Sequence, residues 1–492
     1  MLLYNELFKY EYFRLSRIVI DSYKSIGHGE IEFKSNKDDS HSDNIICLYG
    51  ANGAGKTSVA EIILLFKTLA KGNQIDQKIY GNCISVGSEN AHILYEFEGF
   101  LKDESTGTEY KRQLAYEFDL VKNTYNDKIT VKNEILRVAN IERKDSKDKA
   151  LLQLQPIFDT TESEQVGERK LPFGPKSKIT QLVEGEDYHP LHAIKKDSFD
   201  SSRSFLFNKD TLHYLIGHNY FGRVIKEDEP IFRSFRLNTS QLSIFARKIE
   251  AIASDRFNNQ VCIFYGSIFE LARYGEKCIN VIGYNGLTPE FVIDGYKLNE
   301  NEEHKLYPIR SIKAFAQHID KINGVLPFIL PDTIIDIKII EKSSEKAEVV
   351  LLINDGTIQL PISLASDGIK KTICIISALI SSECKDGYLT VIDDLDSNVF
   401  TPALTELIRY IDSLKDGRQF IFTMHNPITM DDVAKESVVF TTTDRNNRFA
   451  RAKLVKACNS LMKLYLGSNP KISPNVEFFK PTGNAKTENL VL

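Results

Sequence analysis

The feature that most constrains this 492-residue chain is a glycine-rich stretch that directly follows a short apolar run. Residues 45–49 read Ile-Ile-Cys-Leu-Tyr, and residues 50–57 read Gly-Ala-Asn-Gly-Ala-Gly-Lys-Thr. The apolar run predicts a buried strand, and residues 58–69 have the apolar spacing of a helix. A strand, a glycine-rich loop ending in Lys-Thr and a helix together predict a phosphate-binding loop in an α/β fold.

Each part of this loop has a chemical purpose. Backbone N–H groups at the glycines surround phosphate groups, Lys56 adds a positive charge there, and the Thr57 hydroxyl binds Mg²⁺. The dipole of the following helix also favours an anion at its N-terminus. The residues that we predict to bind the nucleotide are Asn52, Gly53, Ala54, Gly55, Lys56, Thr57 and Ser58.

The composition of the chain indicates which broad class of protein it belongs to. Hydrophobic residues make up 42% of the chain and charged residues 26%, as in soluble globular proteins, and the length suits two to three domains. The net charge of −5 gives no overall basic field for nucleic acid. No stretch is apolar enough to span a membrane, and the N-terminus lacks a signal peptide pattern. Seven scattered cysteines without a Cys-x-x-Cys pair predict reduced thiols in a cytoplasmic protein, with Cys47 and Cys374 in its core.

The chain is predicted to form two lobes separated by an insertion, and the first lobe spans residues 1–140. Residues 13–36 alternate in strand fashion, with a turn expected at Gly27 and Gly29. Residues 91–136 contain further strand patterns separated by polar turns. A mixed or antiparallel sheet around the phosphate loop is therefore expected.

A mostly helical insertion is predicted over residues 141–330, as an arm or a surface that binds a partner. Apolar residues recur at helical spacing in 242–252 and again in 312–322. Neither run keeps a heptad repeat long enough for a long coiled coil.

The second lobe is predicted over residues 331–458. Its first part, 333–362, returns to strand patterns, with a hairpin signal at residues 355–356. A polar C-terminal tail is predicted over residues 459–492.

A second motif lies in this lobe, where the run Leu-Thr-Val-Ile ends in Asp393 and Asp394. A buried strand would deliver both carboxylates to the edge of a parallel sheet, beside the phosphate loop. Asp393 is then predicted to hold Mg²⁺, and Asp394 to orient or deprotonate the attacking water. Alone, the same pattern also fits a strand followed by an acidic turn.

Two further motifs complete the set. His425 follows the apolar run at 420–423, where it can reach a γ-phosphate, although it also fits a plain loop residue. Ser366 and Gly368 begin an apolar helix, where they form either an anion site or an ordinary N-cap.

The order of these motifs resembles the head of ABC-type ATPases, and Asn52 within the loop is typical of such heads. The matching motifs lie in residues 1–75 and 345–445. The resemblance implies a P-loop ATPase head in two lobes, a mixed β lobe and a RecA-like core, that binds ATP with Mg²⁺. It also implies a homodimer or higher homo-oligomer formed around ATP, in which Ser366 and Gly368 face the partner's γ-phosphate. By the same resemblance, Asp396 belongs to a loop that crosses the dimer interface.

The opening strand, residues 18–26, is similar to that of SMC, RecF and OLD-family heads, which implies that Lys24 lies near the nucleotide. The stretch Ser-Asp-Gly-Ile-Lys-Lys at 366–371 resembles AAA/OLD-type ATPases of bacterial anti-phage systems, including abortive-infection ATPases, Septu-type ATPases and the ATPase subunit of PARIS. This resemblance implies a sensor or scaffold that responds to a phage protein and controls a separate effector such as a nuclease or toxin.

The chain departs from these families in two ways. Asp394 stands where most such heads have Glu, and the shorter side chain predicts slow hydrolysis and long-lived ATP-bound dimers. Fewer than seventy residues follow His425, too few for the nuclease domain of OLD proteins. Any effector is therefore expected to be a separate protein.

Other functions stay open from the sequence. A transporter ATPase is disfavoured by the insertion, and a scaffold that does not hydrolyse ATP is a third possibility. The main alternative is RecF- or SMC-like DNA repair or chromosome maintenance, with a DNA-facing groove built from basic residues. These residues are Arg223, Lys226, Arg233, Arg236, Arg247, Lys248 and Arg256. Acidic residues alternate with them, so the segment also fits a solvated surface of mixed charge.

Overall fold

The structure is a computed structural model, and it describes most of the chain. The described residues are 10–33, 44–102, 109–142, 154–161, 165–166, 169–183, 188–218, 260–282, 292–293, 296–297, 305–341, 343–354, 356–380, 388–414, 417–451 and 461–462. The strands are β1 (Tyr10–Tyr23), β2 (Ile26–Glu32), β3 (Ile45–Tyr49), β4 (Asn90–Lys102), β5 (Glu109–Lys122), β6 (Ile129–Glu142), β7 (Gln155–Asp159), β8 (Gln165–Val166), β9 (Arg169–Lys170), β10 (Ile279–Ile282), β11 (Val292–Ile293), β12 (Tyr296–Lys297), β13 (Lys305–Pro308), β14 (Ile334–Glu341), β15 (Lys346–Asn354), β16 (Gln359–Pro361), β17 (Leu389–Ile392), β18 (Gln419–Met424), β19 (Val438–Thr441) and β20 (Phe449–Arg451). The helices are α1 (Lys56–Ala70), α2 (Gln77–Tyr80), α3 (Lys176–Leu182), α4 (His189–Asp200), α5 (Lys209–His218), α6 (Gln260–Arg273), α7 (Ile309–Asn323), α8 (Leu326–Ile329), α9 (Asp367–Ile380) and α10 (Thr401–Ser413).

The first sheet is antiparallel and has the order β2-β1-β4-β5-β6-β7. Its apolar face packs on α1, where the ring of Phe66 lies 5.0 Å from that of Tyr95 and 5.2 Å from that of Phe97. The Tyr95 hydroxyl also donates to the Ile62 carbonyl over 2.7 Å, so the sheet and the helix share one core. The prediction of a mixed or antiparallel sheet in this part of the chain is confirmed, and the sheet is antiparallel.

The second sheet has the order β10-β17-β18-β3-β19-β20 and is parallel except for β20. Alternate residues of β3 face two different cores, because side chains along a strand point to opposite sides. Ile46 and Leu48 join the core around α1, whereas Ile45, Cys47 and Tyr49 join the core with α9 and α10. This strand is buried on both faces, which explains its uninterrupted apolar sequence.

A third, smaller sheet has the order β13-β15-β14, and β16 pairs with β15. Helix α7 covers it with Phe315, Ile319 and Ile322, which are buried as the helical pattern at 312–322 predicts. The β15–β16 hairpin turns at Gly356, whose φ of 82° suits glycine, and the hairpin prediction is confirmed. The amphipathic pattern at 242–252 lies outside the described residues.

One turn was predicted at the wrong place. Gly27 and Gly29 lie inside β2, and the chain turns at residues 24–25 instead. The glycines are needed for close packing: a Cβ on Gly27 would lie 2.9 Å from the Arg445 carbonyl oxygen, and one on Gly29 would lie 2.6 Å from the Phe449 ring. The absence of side chains lets the hairpin of β19 and β20 approach β2.

Parts of the segment predicted as an insertion belong to the two large sheets. Strand β7 pairs with β6 in the antiparallel sheet, and β10 pairs with β17 in the parallel sheet. The domain boundaries at residues 141 and 330 stay a prediction. No helix in the described part of the chain combines the length and apolar character needed to cross a bilayer.

Candidate functional site

Three neighbouring parallel strands end at one edge of the second sheet. They are β17, β18 and β3, and each is followed by one of the predicted motifs. Parallel strands have their carboxyl ends on the same side, so residues far apart in the sequence meet there. The phosphate loop, Asp393, Asp394 and His425 are gathered by this arrangement.

The phosphate loop has the backbone that its glycines predict. Gly53 and Gly55 have φ angles of 75° and 91°, in the left-handed region where a side chain is strained. A Cβ on Gly55 would also lie 2.9 Å from the Ile26 side chain, so the turn after β1 lies close above the loop. Helix α1 then begins at Lys56.

The Lys56 side chain is buried among oxygen and nitrogen acceptors. Its Nζ donates to the carbonyl oxygens of Gly50 and Ala51 over 2.7 and 2.9 Å, and lies 3.3 Å from Nδ1 of His425. On the other side of the ring, Nε2 of His425 lies 2.9 Å from Oδ1 of Asp394. The tautomer with its proton on Nε2 satisfies both contacts, since Nδ1 then accepts from Lys56.

The charge of Lys56 is sensitive to its surroundings. Burial lowers the pKa of its ammonium to about 8, while the nearby carboxylates of Asp394, Asp393 and Asp396 act in the opposite direction. Loss of hydration dominates because the side chain lies under the loop. Lys56 therefore loses its charge at a lower pH than an ordinary lysine.

Asp393 lies behind the phosphate loop, buried beside two threonines. Its Oδ1 accepts from the Thr423 hydroxyl over 2.6 Å and from the Thr57 hydroxyl over 3.3 Å. Burial raises the pKa of its carboxyl group, whereas both threonine hydrogen bonds lower it. The Thr57 hydroxyl and the Asp393 carboxylate lie side by side and are suitable oxygen ligands for Mg²⁺. This ion takes few protein ligands in addition to phosphate and water.

Asp394 has a half-exposed carboxylate directed to His425. Its φ of 50° is unusual for a residue other than glycine, and its N–H donates to the Thr423 hydroxyl over 2.7 Å. Thr423 thus bonds to the carboxylate of Asp393 and to the backbone of Asp394, and it was not predicted from the sequence. The available signal is a single hydroxyl residue among the apolar residues that follow Gln419 in strand β18.

Asp396 holds the histidine loop within its own chain. Its Oδ2 accepts from the backbone N–H groups of His425 and Asn426, at 2.8 Å for the first. It does not line the cavity described below. The role at a dimer interface that the resemblance implies for it stays a prediction.

Lys24 lies on the opposite wall, in the turn after β1. Its ammonium bonds to the buried carboxylate of Glu61, which also accepts from the Tyr23 hydroxyl over 2.8 Å. Glu61 was not predicted from the sequence. Glu61 follows Thr57 by four residues in α1, so the two residues lie on the same face of this helix.

Together these residues enclose a cavity of about 590 Å³. It is lined by Lys24, Ser25, Asn52, Gly53, Gly55, Lys56, Thr57, Ser58, Glu61, Asp394 and His425. Of the predicted nucleotide-binding residues, Ala54, Ser366, Gly368 and Asp396 do not line it.

Ser366 and Gly368 lie at the start of α9. The exposed Ser366 hydroxyl accepts from the Ile369 N–H over 3.3 Å, which is an N-cap contact. A Cβ on Gly368 would lie 2.1 Å from the Asn398 carbonyl oxygen, so glycine is required for packing within the chain. Their action on a partner's nucleotide stays a prediction.

Several solved structures resemble this chain. The Smc head domain with an extended coiled coil bound to the C-terminal domain of ScpA, from Pyrococcus furiosus, is 10% identical, with a TM-score of 0.40, and the match covers 89% of this chain and 96% of that one. The SMC head domain from Thermotoga maritima is 12% identical, with a TM-score of 0.34, and the match covers 90% and 100%. Among proteins of curated function, none matches the sequence of this chain. The family model described as "AAA domain, putative AbiEii toxin, Type IV TA system" matches residues 45–431, most of the chain, which therefore belongs to this family.

Proposed function

We propose that this protein binds ATP with Mg²⁺, hydrolyses it slowly between two protomers, and uses the ATP-bound assembly to control a separate effector in anti-phage defence. The observation that carries the proposal is the meeting of the phosphate loop, the Thr57–Asp393 contact and the Asp394–His425 pair around one cavity. Each later step adds its own support.

Nucleotide binding rests on the cavity and its charges. Lys56 now bonds to carbonyl oxygens of its own loop, and phosphate oxygens would replace them. Thr57 and Asp393 would hold Mg²⁺, which would neutralise negative charge on the phosphates. Lys24 and Ser25 line the opposite side, where the ammonium of Lys24 is paired with the carboxylate of Glu61.

Hydrolysis rests on the carboxylate of Asp394. It is the acid of the pair that is accessible from the cavity, whereas Asp393 is buried behind the loop. Asp394 would accept a proton from water or orient it, and His425 would hold that carboxylate and report on the γ-phosphate. An aspartate reaches less far than a glutamate, which supports slow turnover.

Assembly rests on the position of α9. Ser366 is exposed and lies outside the cavity of its own chain, so it is accessible to a nucleotide bound by a second copy. The N-terminus of a 14-residue helix also favours an anion. In the proposed dimer each site therefore takes its loop from one protomer and its helix start from the other.

The effector and the defence role are the furthest part of the proposal. The description of the family refers to a putative AbiEii toxin and to a Type IV TA system. A nucleotide switch couples to a partner only when its two states bind that partner differently. The ATP-bound assembly would hold an effector such as a nuclease, and a phage protein would release it.

The first experiment measures ATP affinity by calorimetry, with Mg²⁺ present. Lys56→Ala should weaken binding by at least about tenfold, because a charged hydrogen-bond donor is lost from the phosphates. Lys128→Ala, which removes an exposed lysine from the turn between β5 and β6, should leave the affinity unchanged. Equal affinities of the wild-type protein and the Lys56→Ala variant would contradict the site.

The biological experiment expresses the chain with the product of the neighbouring gene and challenges the cells with phage. Protection should require Lys56, and the neighbouring protein should co-purify with this chain in the presence of ATP. Protection that survives Lys56→Ala would contradict the switch. Turnover stimulated by DNA, without an effector, would favour the repair function instead.

A further inference from the structure

Lys371 lies in α9 and has no part in the proposed binding or hydrolysis of ATP. Its side chain is buried, with the residue only 6% exposed, and its Nζ donates to two backbone carbonyl oxygens of the loop after β17. These belong to Asp394 and to Ser397, the second at 3.3 Å. A lysine of the helix that starts at Ser366 thus reaches the backbone of the proposed catalytic acid.

The loop that Lys371 contacts has an unfavourable backbone. Asp394 and Asn398 have φ angles of 50° and 62°, which cost free energy for residues other than glycine. Such a conformation persists only when surrounding contacts hold it. Within the loop, Ser397 N–H donates to the Asp394 carbonyl over 2.9 Å, and Lys371 donates to the same oxygen.

The first turn of α9 contacts the same loop at a second point. Gly368 lies against the Asn398 carbonyl, where even a methyl group would clash. Residues three apart lie on one face of a helix, so Gly368 and Lys371 contact the loop from the same side. The loop of Asp394 is therefore in contact with the first turn of α9 at two points.

We infer that Lys371 is a positioning residue that fixes the backbone of Asp394 and couples it to the first turn of α9. This inference rests on the proposed function, in which Ser366 touches the nucleotide of the partner. When the start of α9 in one protomer contacts the ATP bound to its partner, Lys371 would align Asp394 in the first protomer. The two sites of a dimer would turn over in a coordinated manner.

The charge of Lys371 matters to this arrangement. Burial lowers the pKa of its ammonium, and the carboxylates of Asp394, Asp396 and Asp393 oppose that effect. Because these acids lie near the ammonium, a neutral side chain would leave their repulsion unbalanced as well as removing two hydrogen bonds.

The neighbouring Lys370 is a matched control. It is 7% exposed, and its Nζ bonds to Asp367 over 3.1 Å and to the Ser363 carbonyl over 3.4 Å. These contacts lie in the first turn of α9 and in the segment just before it, away from the loop of Asp394. Lys370→Met removes an equally buried charge from the same helix without touching Asp394.

The kinetic test compares Lys371→Met, Lys371→Arg and Lys370→Met in the full chain. Lys371→Met should lower kcat about tenfold with little change in ATP affinity, as expected for a lost charged hydrogen bond that acts only through Asp394. Lys371→Arg should restore part of the rate. In an Asp394→Asn background, Lys371→Met should have little further effect. An equal loss in both backgrounds, or from Lys370→Met, would overturn the inference.

A second measurement separates this inference from the proposed function. Amide hydrogen exchange at residues 394–398 should accelerate in Lys371→Met and remain as in the wild type in Lys370→Met, whether or not ATP is hydrolysed. Unchanged exchange in Lys371→Met would overturn the inference even if the ATPase activity is established. A wild-type chain that never hydrolyses ATP would instead overturn the proposed function.

Discussion

Thr423 illustrates how much of the site depends on single side chains. Its hydroxyl donates to the carboxylate of Asp393 and accepts from the backbone N–H of Asp394, so one oxygen contacts both residues. Such a contact joins residues that are thirty positions apart, and no local pattern predicts it. The same holds for the bond between Glu61 and Lys24.

The pKa of Lys56 predicts how ATP affinity depends on pH. This pKa is about 8, and in the proposed function ATP binds the protonated form. As pH rises through 8 the free protein loses that proton, so the affinity should fall, by about tenfold at pH 9 relative to pH 7. Calorimetry at both pH values measures this. Lys56→Arg should show no such fall, because a guanidinium stays charged; a wild-type affinity that is flat from pH 7 to 9 would contradict the prediction.

Asp394 and His425 should act at the chemical step. Asp394→Asn keeps the shape of the side chain but removes its charge, so turnover should fall on the order of a hundredfold while ATP affinity changes little. His425→Ala should also lower turnover more than affinity, since it removes the partner of Asp394 at 2.9 Å. Single-turnover kinetics and calorimetry separate the two effects. If ATP no longer binds to either variant, the residues are part of the binding site.

At the scale of elements, the sequence predicted the strands and helices that have a strong apolar pattern. The buried strand β3, the amphipathic helix α7 and the β15–β16 hairpin are confirmed. The turn after β1 was misplaced because glycine in β2 serves close packing rather than a turn. Packing against the β19–β20 hairpin, more than four hundred residues away, has no local signal.

This packing predicts the effect of a side chain in β2. Gly27→Ala would place a Cβ 2.9 Å from a backbone oxygen of Arg445, and the backbone N–H of Gly27 donates to that oxygen over 2.8 Å. The free energy of unfolding should fall by about 1–3 kcal/mol, seen as a lower Tm. Gly324→Ala is the control, since its Cβ would come no closer than 3.3 Å to its neighbours. Equal Tm values for both variants would contradict the prediction, because they would show that the β19–β20 hairpin can shift without lowering the free energy of unfolding.

At the scale of the whole molecule, the parallel sheet has one core on each side, and the carboxyl ends of its strands carry the candidate nucleotide site. The sequence predicted this edge correctly because the motifs follow apolar strands in a parallel sheet. It could not predict that residues 155–159 and 279–282 complete the two sheets, since short strands without a motif do not reveal their neighbours. A contact between two copies likewise cannot be read from the structure of one chain.

Mixing two inactive variants tests that second copy. Lys56→Ala removes the charge at the phosphates, and Ser366→Arg places a bulky group at the exposed start of α9. In a mixed dimer one site has both defects and the other has neither, so an equal mixture should recover about a quarter of the wild-type turnover. Ser366→Arg is preferred to a change at Gly368, where any side chain would clash within its own chain. Mixed dimers that form, as light scattering and tagged co-purification would show, yet stay inactive would contradict a site shared between protomers.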